Sequence, residues 1–428
     1  MRGRRVGDDR RRLLSAPGVA AVGWLYAAHA ARYAAPLVLY PVLTRRLGVD
    51  GFGAYAAGLS LALAVSVVAD YGLSVSGPRD IAANVSARPA FVGLAATSRA
   101  LLALPAIAVG LGLSFMTPVL QGQTTVTAMA ILLGLGQGAG LLWYFQGIGR
   151  PAPLAMLEVG LVLAAAVAIV ASPGLEVAGV LGWQAAGVWA GVFAGLILLG
   201  RNQRVQWPSQ TSLVGALKQG APLLVSRAVI VAYTGAAVLM VAALAGPAQA
   251  ALYGAADRLV AAAGSSMRPL AGVIAPRIAG LLVHDPAAAF RTARWTLASA
   301  FVAAVAVAAV MAIGAPTMVR ALFGPAFADA EGVLRLLAAI LPLVAVSQVL
   351  GLHLMTSLRM DGRFALMTGA GCAATLCAAW MLAPRFGAVG MAWARIVGEA
   401  AVALICLVSL KGRWVSLFPP RSRHVAAI

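Results

Sequence analysis

The chain has 428 residues, 61% of them hydrophobic and 11% charged, with a net charge of +19 and a mean hydropathy of +0.91. A water-soluble domain is nearer about 45–50% apolar and about 25% charged, so this composition excludes a single soluble core. The basic excess does not imply nucleic acid, because most of the arginines stand in short segments between apolar runs, where they set membrane topology.

Most of the apolar runs are close to the roughly 20 residues that cross a hydrocarbon layer of about 30 Å. They predict about twelve transmembrane helices in chain order: 18–42, 52–74, 93–115, 124–146, 152–171, 176–199, 214–243, 248 to about 282, 292–314, 332–356, 364–383 and 387–410. The Arg-rich start runs straight into a full-length span, which reads as a retained first helix rather than a cleaved signal. Turns as short as Ser172-Pro173-Gly174, Ala245-Gly246-Pro247 and Pro384-Arg385-Phe386 leave no room for a soluble catalytic domain.

With the amino terminus inside, the basic residues of the inside segments outnumber those outside (Arg45, Arg46, Arg320, Arg335 and Arg385) by about four to one. This places both termini in the cytoplasm and requires an even helix count. Asn84-Val85-Ser86 matches a glycosylation acceptor but falls on the cytoplasmic side. A weak echo joins residues 47–55 to 246–253, each a small-residue turn entering a helix with a tyrosine, and Arg32–Pro36 to Lys218–Pro222. It suggests two parallel six-helix halves. The expected division is a basic tail 1–17, a bundle 18–200, a linker 201–213, a bundle 214–410 and a tail 411–428. The tail Arg2 to Arg12 suits anionic membrane lipid.

A charge deep in a bilayer costs at least about 2.5–3.5 kcal/mol on insertion scales, so embedded ions mark cavities or partners. Arg32, Arg227 and Arg258 lie far from the helix ends, in both halves, and are candidates to line a cavity. Asp70 neutralises a nearby arginine, Arg99 and Arg268 are placed to reach the headgroups, and Arg395 and Glu399, four apart, share a helix face and can pair. Surplus guanidinium favours an anionic passenger, phosphate or diphosphate above all, since it binds such groups bidentately. Asp70, Asp257 and Glu399 are the candidate ion-coupling carboxylates. Pro36, Pro41, Pro222, Pro269 and Pro276 are positioned to bend their helices, and Gly134, Gly136, Gly138 and Gly140 to bring helices close. The three cysteines and four histidines show no metal-ligand spacing, and no phosphate loop, zinc motif or nucleophile elbow is present. No metal, cofactor or enzymatic activity is expected.

Four stretches carry a family likeness: 41–55 (PVLTRRLGVDGFGAY) with 69–74 (ADYGLS) and 77–82 (GPRDIA); 142–147 (LWYFQG); 251–259 (ALYGAADRL) with 275–280 (APRIAG); and 322–330 (LFGPAFADA). In these the chain resembles the Wzx-type polysaccharide flippases of the multidrug/oligosaccharidyl-lipid/polysaccharide superfamily. The resemblance implies an all-α polytopic membrane protein, two six-helix bundles around a central cationic cavity. It implies transfer of undecaprenyl-pyrophosphate-linked oligosaccharide from the cytoplasmic to the periplasmic leaflet of a bacterial inner membrane by alternating access, beside a polysaccharide polymerase and chain-length machinery. On this reading Arg32, Arg227 and Arg258 hold the anionic head group, with Arg79 and Arg268 at the cytoplasmic mouth. The alternatives are a cation-coupled drug exporter of the same superfamily, a lipid II flippase, and a membrane-embedded polymerase or acyltransferase. The last needs a large outside loop or a His/Asp constellation, and neither is found.

Overall fold

The computed structural model describes the backbone of residues 19–413 except 84, 203–204, 266–273, 275–276, 279, 283 and 359. Side chains are described from residue 38 on, with further gaps that include Arg79. Both tails, Arg268, Asn84 and the side chains of Arg32 and Arg79 therefore lie outside the described residues, as do Pro269 and Pro276.

Every described element is helical: α1 (Val19–Asp70), α2 (Leu73–Ala83), α3 (Arg88–Met116), α4 (Thr124–Ala139), α5 (Leu142–Gly147), α6 (Ala152–Ala171), α7 (Val177–Asn202), α8 (Gln210–Thr234), α9 (Ala237–Ala245), α10 (Pro247–Ser265), α11 (Pro286–Phe323), α12 (Ala330–Ala338), α13 (Ile340–Val346) and α14 (Asp361–Ser409). A π-helical stretch, Ser347–Met355, continues α13.

Two of these helices are too long for one crossing. At about 1.5 Å per residue, α1 would measure about 78 Å. It folds back at Gly48, whose φ of 67° is open to glycine without the strain a Cβ would bring. The fold-back brings the rings of Tyr40 and Phe52 to 5.8 Å. α14 folds back at Gly387, and a methyl on Gly390 would lie 2.3 Å from the Leu382 carbonyl oxygen. Counting both arms of each, the described helices supply the twelve expected passes. Among the described residues eight helices are long and apolar enough to cross a membrane. The passes that fall short of that measure are α8–α9, which carries Lys218 and Arg227, and α10, which carries Asp257 and Arg258.

The breaks fall at glycines more than at the expected prolines. The chain is helical through Pro36, Pro41 and Pro222, and Pro78, Pro105, Pro316 and Pro384 are also inside helices. Neighbouring helices re-satisfy the backbone groups that an intramembrane proline frees. The turn expected over 43–51 narrows to Gly48, and the one expected at 384–386 moves to Gly387. α8 starts at 210 rather than 214 because the Ser209 hydroxyl accepts a hydrogen bond from the Ser212 amide, an N-cap.

We call the side that holds Gly48 and Gly246 the turn end, and the side the chain enters at residue 19 the tail end. Gly48 and Gly246 share a conformation (φ 67°, ψ −171°; φ 89°, ψ 175°). Each precedes by seven residues a tyrosine buried to within 1%, Tyr55 and Tyr253. A 3-10 turn follows α3 (Pro118–Leu120) and another follows α11 (Pro325–Phe327). The glycine register leaves the proline part of the echo out of step: Pro36 is twelve residues ahead of its break and Pro222 twenty-four ahead of its own.

One apolar cluster joins the amino-terminal helices (α1–α7) to the carboxy-terminal ones (α8–α14), and smaller clusters lie within each set. At the turn end Tyr40 stacks on Phe323 at 5.8 Å, and Phe52 meets Phe323 at 5.9 Å and Phe327 at 5.5 Å. Close approach within the first half depends on α4. A methyl on Gly134 would lie 2.4 Å from the Ala62 carbonyl oxygen, and one on Gly136 would press on Trp189 of α7.

Candidate functional site

The sequence around Asp70 ends one helix and starts another. Tyr71 (φ 52°) and Gly72 (φ 80°) are both left-handed, so α1 stops and α2 sets off on a new axis. The Asp70 carboxylate accepts from the Ser74 amide at 3.1 Å and the Ser74 hydroxyl at 2.7 Å, satisfying donors in the first turn of α2.

Two guanidinium groups meet that carboxylate. Arg99 Nη2, from α3, lies 3.1 Å from one oxygen, and Arg227 Nη1, from α8, lies 2.6 Å from the other and also donates to the Ser74 hydroxyl. The side chains of Asp70 and Arg99 are 9% and 10% exposed, against 34% for Arg227. Asp70 thus neutralises two arginines, one from each half of the chain.

Arg99 was expected to reach for headgroups. It instead turns inward, because α4 breaks before Gly140 and leaves carbonyls without intrahelical donors. Arg99 Nη1 donates to the carbonyls of Ala139 (3.2 Å) and Gly140 (3.0 Å), and its guanidinium sits 5.5 Å from the centre of the Trp143 ring. The break also starts the short helix α5, whose Trp143, Tyr144 and Phe145 pack with Ile81, Val92 and Leu154 beneath the cluster.

The kink carries Tyr71 across to the other half. Its hydroxyl donates to the Leu217 carbonyl of α8 at 2.8 Å, and its ring fills the space a side chain at Gly220 would need. At the tail end, then, the two halves are tied by Asp70–Arg227 and by Tyr71–Leu217.

Arg258 belongs to a different layer. Counted from the glycine breaks at about 1.5 Å per residue, Arg258 lies about 18 Å from the turn end and Asp70 about 33 Å. Arg258 is half-buried and lies within electrostatic reach of Tyr40 and Tyr55 of the other half. Its neighbour Asp257 lies in the field of Arg395 and Arg258, and Arg395 pairs with Glu399 at 3.4 Å, both of that pair buried. The structure therefore unites Arg227 with Asp70, and Asp257 and Glu399 with Arg395. Sequence reading missed Ser74 and Tyr71 as members of the first group. The run Asp70-Tyr71-Gly72-Leu73-Ser74, a carboxylate and a glycine ahead of a serine, was the available signal. Among the described residues no His/Cys/Asp/Glu group of metal-binding size occurs.

The fold has relatives among membrane transporters. The structure superposes on a lipid II flippase, MurJ, in an inward closed conformation, with a TM-score of 0.72 and 10% identity, covering 90% of this chain and 87% of that one. It matches an inward-facing multidrug resistance MATE family transporter of the MOP superfamily with a TM-score of 0.69 and 15% identity, over 92% and 94% of the two chains. In sequence it is 20% identical over 400 residues to a protein of Escherichia coli (strain K12) named "Putative O-antigen transporter", covering 91% of this chain and 95% of the relative. The family described as "Polysaccharide biosynthesis protein" matches residues 19–282, well over half of the chain. The chain thus belongs to the polysaccharide biosynthesis protein family, and its all-α fold is the one these multi-pass transporters share.

Proposed function

We propose that this protein moves a polyprenyl-diphosphate-linked oligosaccharide from the cytoplasmic to the outer leaflet of a bacterial cytoplasmic membrane by alternating access between its two halves, residues 18–200 and 214–410. Both termini are then cytoplasmic and the tail end is the entry side. The observation that carries this reading is Arg227, a guanidinium one-third exposed, deep in α8 and tied across the interface to Asp70. A membrane-embedded arginine at a junction between moving halves fits an anionic head group. Arg258, deeper in the same interface, is the next station, with Arg32, Arg79 and Arg268 as further contacts. The lipid tail stays in the bilayer and passes between helices, so only the diphosphate and sugars enter the protein.

Alternating access requires contacts that can part at either end. The Tyr40/Phe52/Phe323/Phe327 cluster would part for release, and the Asp70–Arg227 and Tyr71–Leu217 ties for entry. Asp257 and Glu399 are the carboxylates open to coupling with a cation gradient. The polysaccharide polymerase and its chain-length machinery act on the delivered substrate. The test is leaflet-specific labelling of lipid-linked sugar in cells lacking the protein, complemented with Arg227→Ala or Arg258→Ala. We expect sugar to accumulate in the cytoplasmic leaflet with each variant. Full complementation by both, at wild-type protein levels, sinks the cationic route.

A drug exporter of the same fold would give the opposite pattern: Asp70→Asn or Asp257→Asn would abolish efflux while Arg227→Ala spared it.

A further inference from the structure

Asp70 stands where a ligand anion would stand. Four donors converge on its carboxylate: Arg227 Nη1, Arg99 Nη2, the Ser74 hydroxyl and the Ser74 amide at the start of α2. These donors form an oxyanion seat, and its occupant is a residue of the chain itself. One wall is fixed, because α4 carbonyls and Trp143 hold Arg99. The other wall can move, because Arg227 belongs to the opposite half and is the more exposed of the two arginines.

Any incoming anion must compete with Asp70. A monovalent anion exchanges one ionic contact for an equal one, against a competitor held at high effective concentration by its own backbone. A diphosphate brings two or more charges and additional acceptor oxygens to the same guanidinium groups. We propose that Asp70 is an internal competitor that sets the selectivity of this seat. Lipid-borne diphosphate displaces it, simple monovalent anions do not, and its displacement unties Asp70 from Arg227 and frees the tail end. The assignment of a lipid-borne ligand rests on the transport reading above; the competition itself does not.

Two measurements on the full chain in lipid nanodiscs test this. The first is binding of inorganic pyrophosphate and of farnesyl diphosphate to wild type and to Asp70→Asn. If Asp70 fills the seat nine-tenths of the time, its removal tightens both by about tenfold. Acetate should compete with pyrophosphate in Asp70→Asn and not in wild type. Equal affinity in the two proteins overturns the proposal. The second needs no change at Asp70: the distance between spin labels at Val85→Cys and Val214→Cys, both exposed, with the exposed Cys377 replaced by Ala. Farnesyl diphosphate should lengthen it and acetate should not; an unchanged distance at saturating ligand overturns the proposal. Farnesyl diphosphate should act at lower concentration than pyrophosphate. Binding of pyrophosphate alone would assign a free ion and overturn the lipid head group. Cellular complementation by both Arg227→Ala and Arg258→Ala with intact pyrophosphate binding in wild type would sink the transport reading and leave the seat in place.

Discussion

Ala56 and Gly254 meet where the two halves cross, a methyl on Gly254 lying 3.0 Å from the Ala56 Cβ. Each stands one residue past a buried tyrosine and eight past a glycine break, so positions equivalent in the glycine register meet across the interface. Gly254→Ala asks its neighbour to give by a few tenths of an ångström, and its melting temperature in detergent should fall only slightly. Gly254→Leu wedges the crossing and should cost about 1–3 kcal/mol by overpacking. A Leu variant that melts like wild type and still exports would show that the two helices do not touch.

Arg46 tests a second structural role. Its guanidinium donates to the carbonyls of Ile169 (2.9 Å), Val170 (2.7 Å) and Ser172 (3.1 Å) at the end of α6. These are the carbonyls a helix end leaves without partners, at the negative pole of its dipole. Arg46→Ala should destabilise by about 1.5–3 kcal/mol, the range for hydrogen bonds to a charged group. Arg46→Lys should recover only part, since one ammonium cannot match a planar fork. Thermal melting of the three proteins checks this; a Lys variant equal to wild type would reduce the cap to a simple charge effect.

The spans were legible because lipid demands long apolar runs, and the 152–171 helix falls where hydropathy places it. The basic residues expected outside are held by contacts that only the fold supplies. Arg46 caps α6, Arg320 pairs with Glu331 at 3.2 Å, and Arg335 donates to the Ala312 carbonyl. Charge at Asp70 was legible, its partners were not. Arg99 and Arg227 are 29 and 157 residues away, and no local period connects them. The kink was hidden too, because Tyr71 takes a backbone conformation that non-glycine residues seldom adopt. Pro36, Pro41 and Pro222 stand inside unbroken helical stretches, while the sharp turns fall at Gly48 and Gly387, where φ is positive.

Gly138 couples packing to the site. A methyl there would lie 2.6 Å from the Ala69 Cβ, 2.9 Å from the Ser66 carbonyl oxygen and 3.0 Å from the Asp70 amide nitrogen. Backbone cannot step aside as a side chain can, so Gly138→Ala should already lower stability by about 1–3 kcal/mol. It should also weaken diphosphate binding, because α4 carries the carbonyls that hold Arg99. Gly160→Ala, with open space around its Cβ, is the control and should change neither. Loss of stability with unchanged binding would separate the helix contact from the cluster.

The second ionic group responds differently to the loss of each member. Arg395 pairs with Glu399 and also acts on Asp257, so one cation serves two carboxylates inside the membrane. Removing it strands Glu399 and leaves Asp257 the field of Arg258 alone, and breaking a buried pair from one side typically costs about 3–5 kcal/mol. Glu399→Gln leaves Arg395 the Asp257 carboxylate and should cost less. Arg395→Met combined with Glu399→Met removes charge in a balanced way and should recover part of the loss, held back by Asp257. Melting temperatures should therefore rank wild type, Glu399→Gln, the double variant and Arg395→Met in falling order. If Glu399→Gln proved as damaging as Arg395→Met, Asp257 would not be sharing the arginine, and Glu399 would be the stronger choice for a coupling carboxylate.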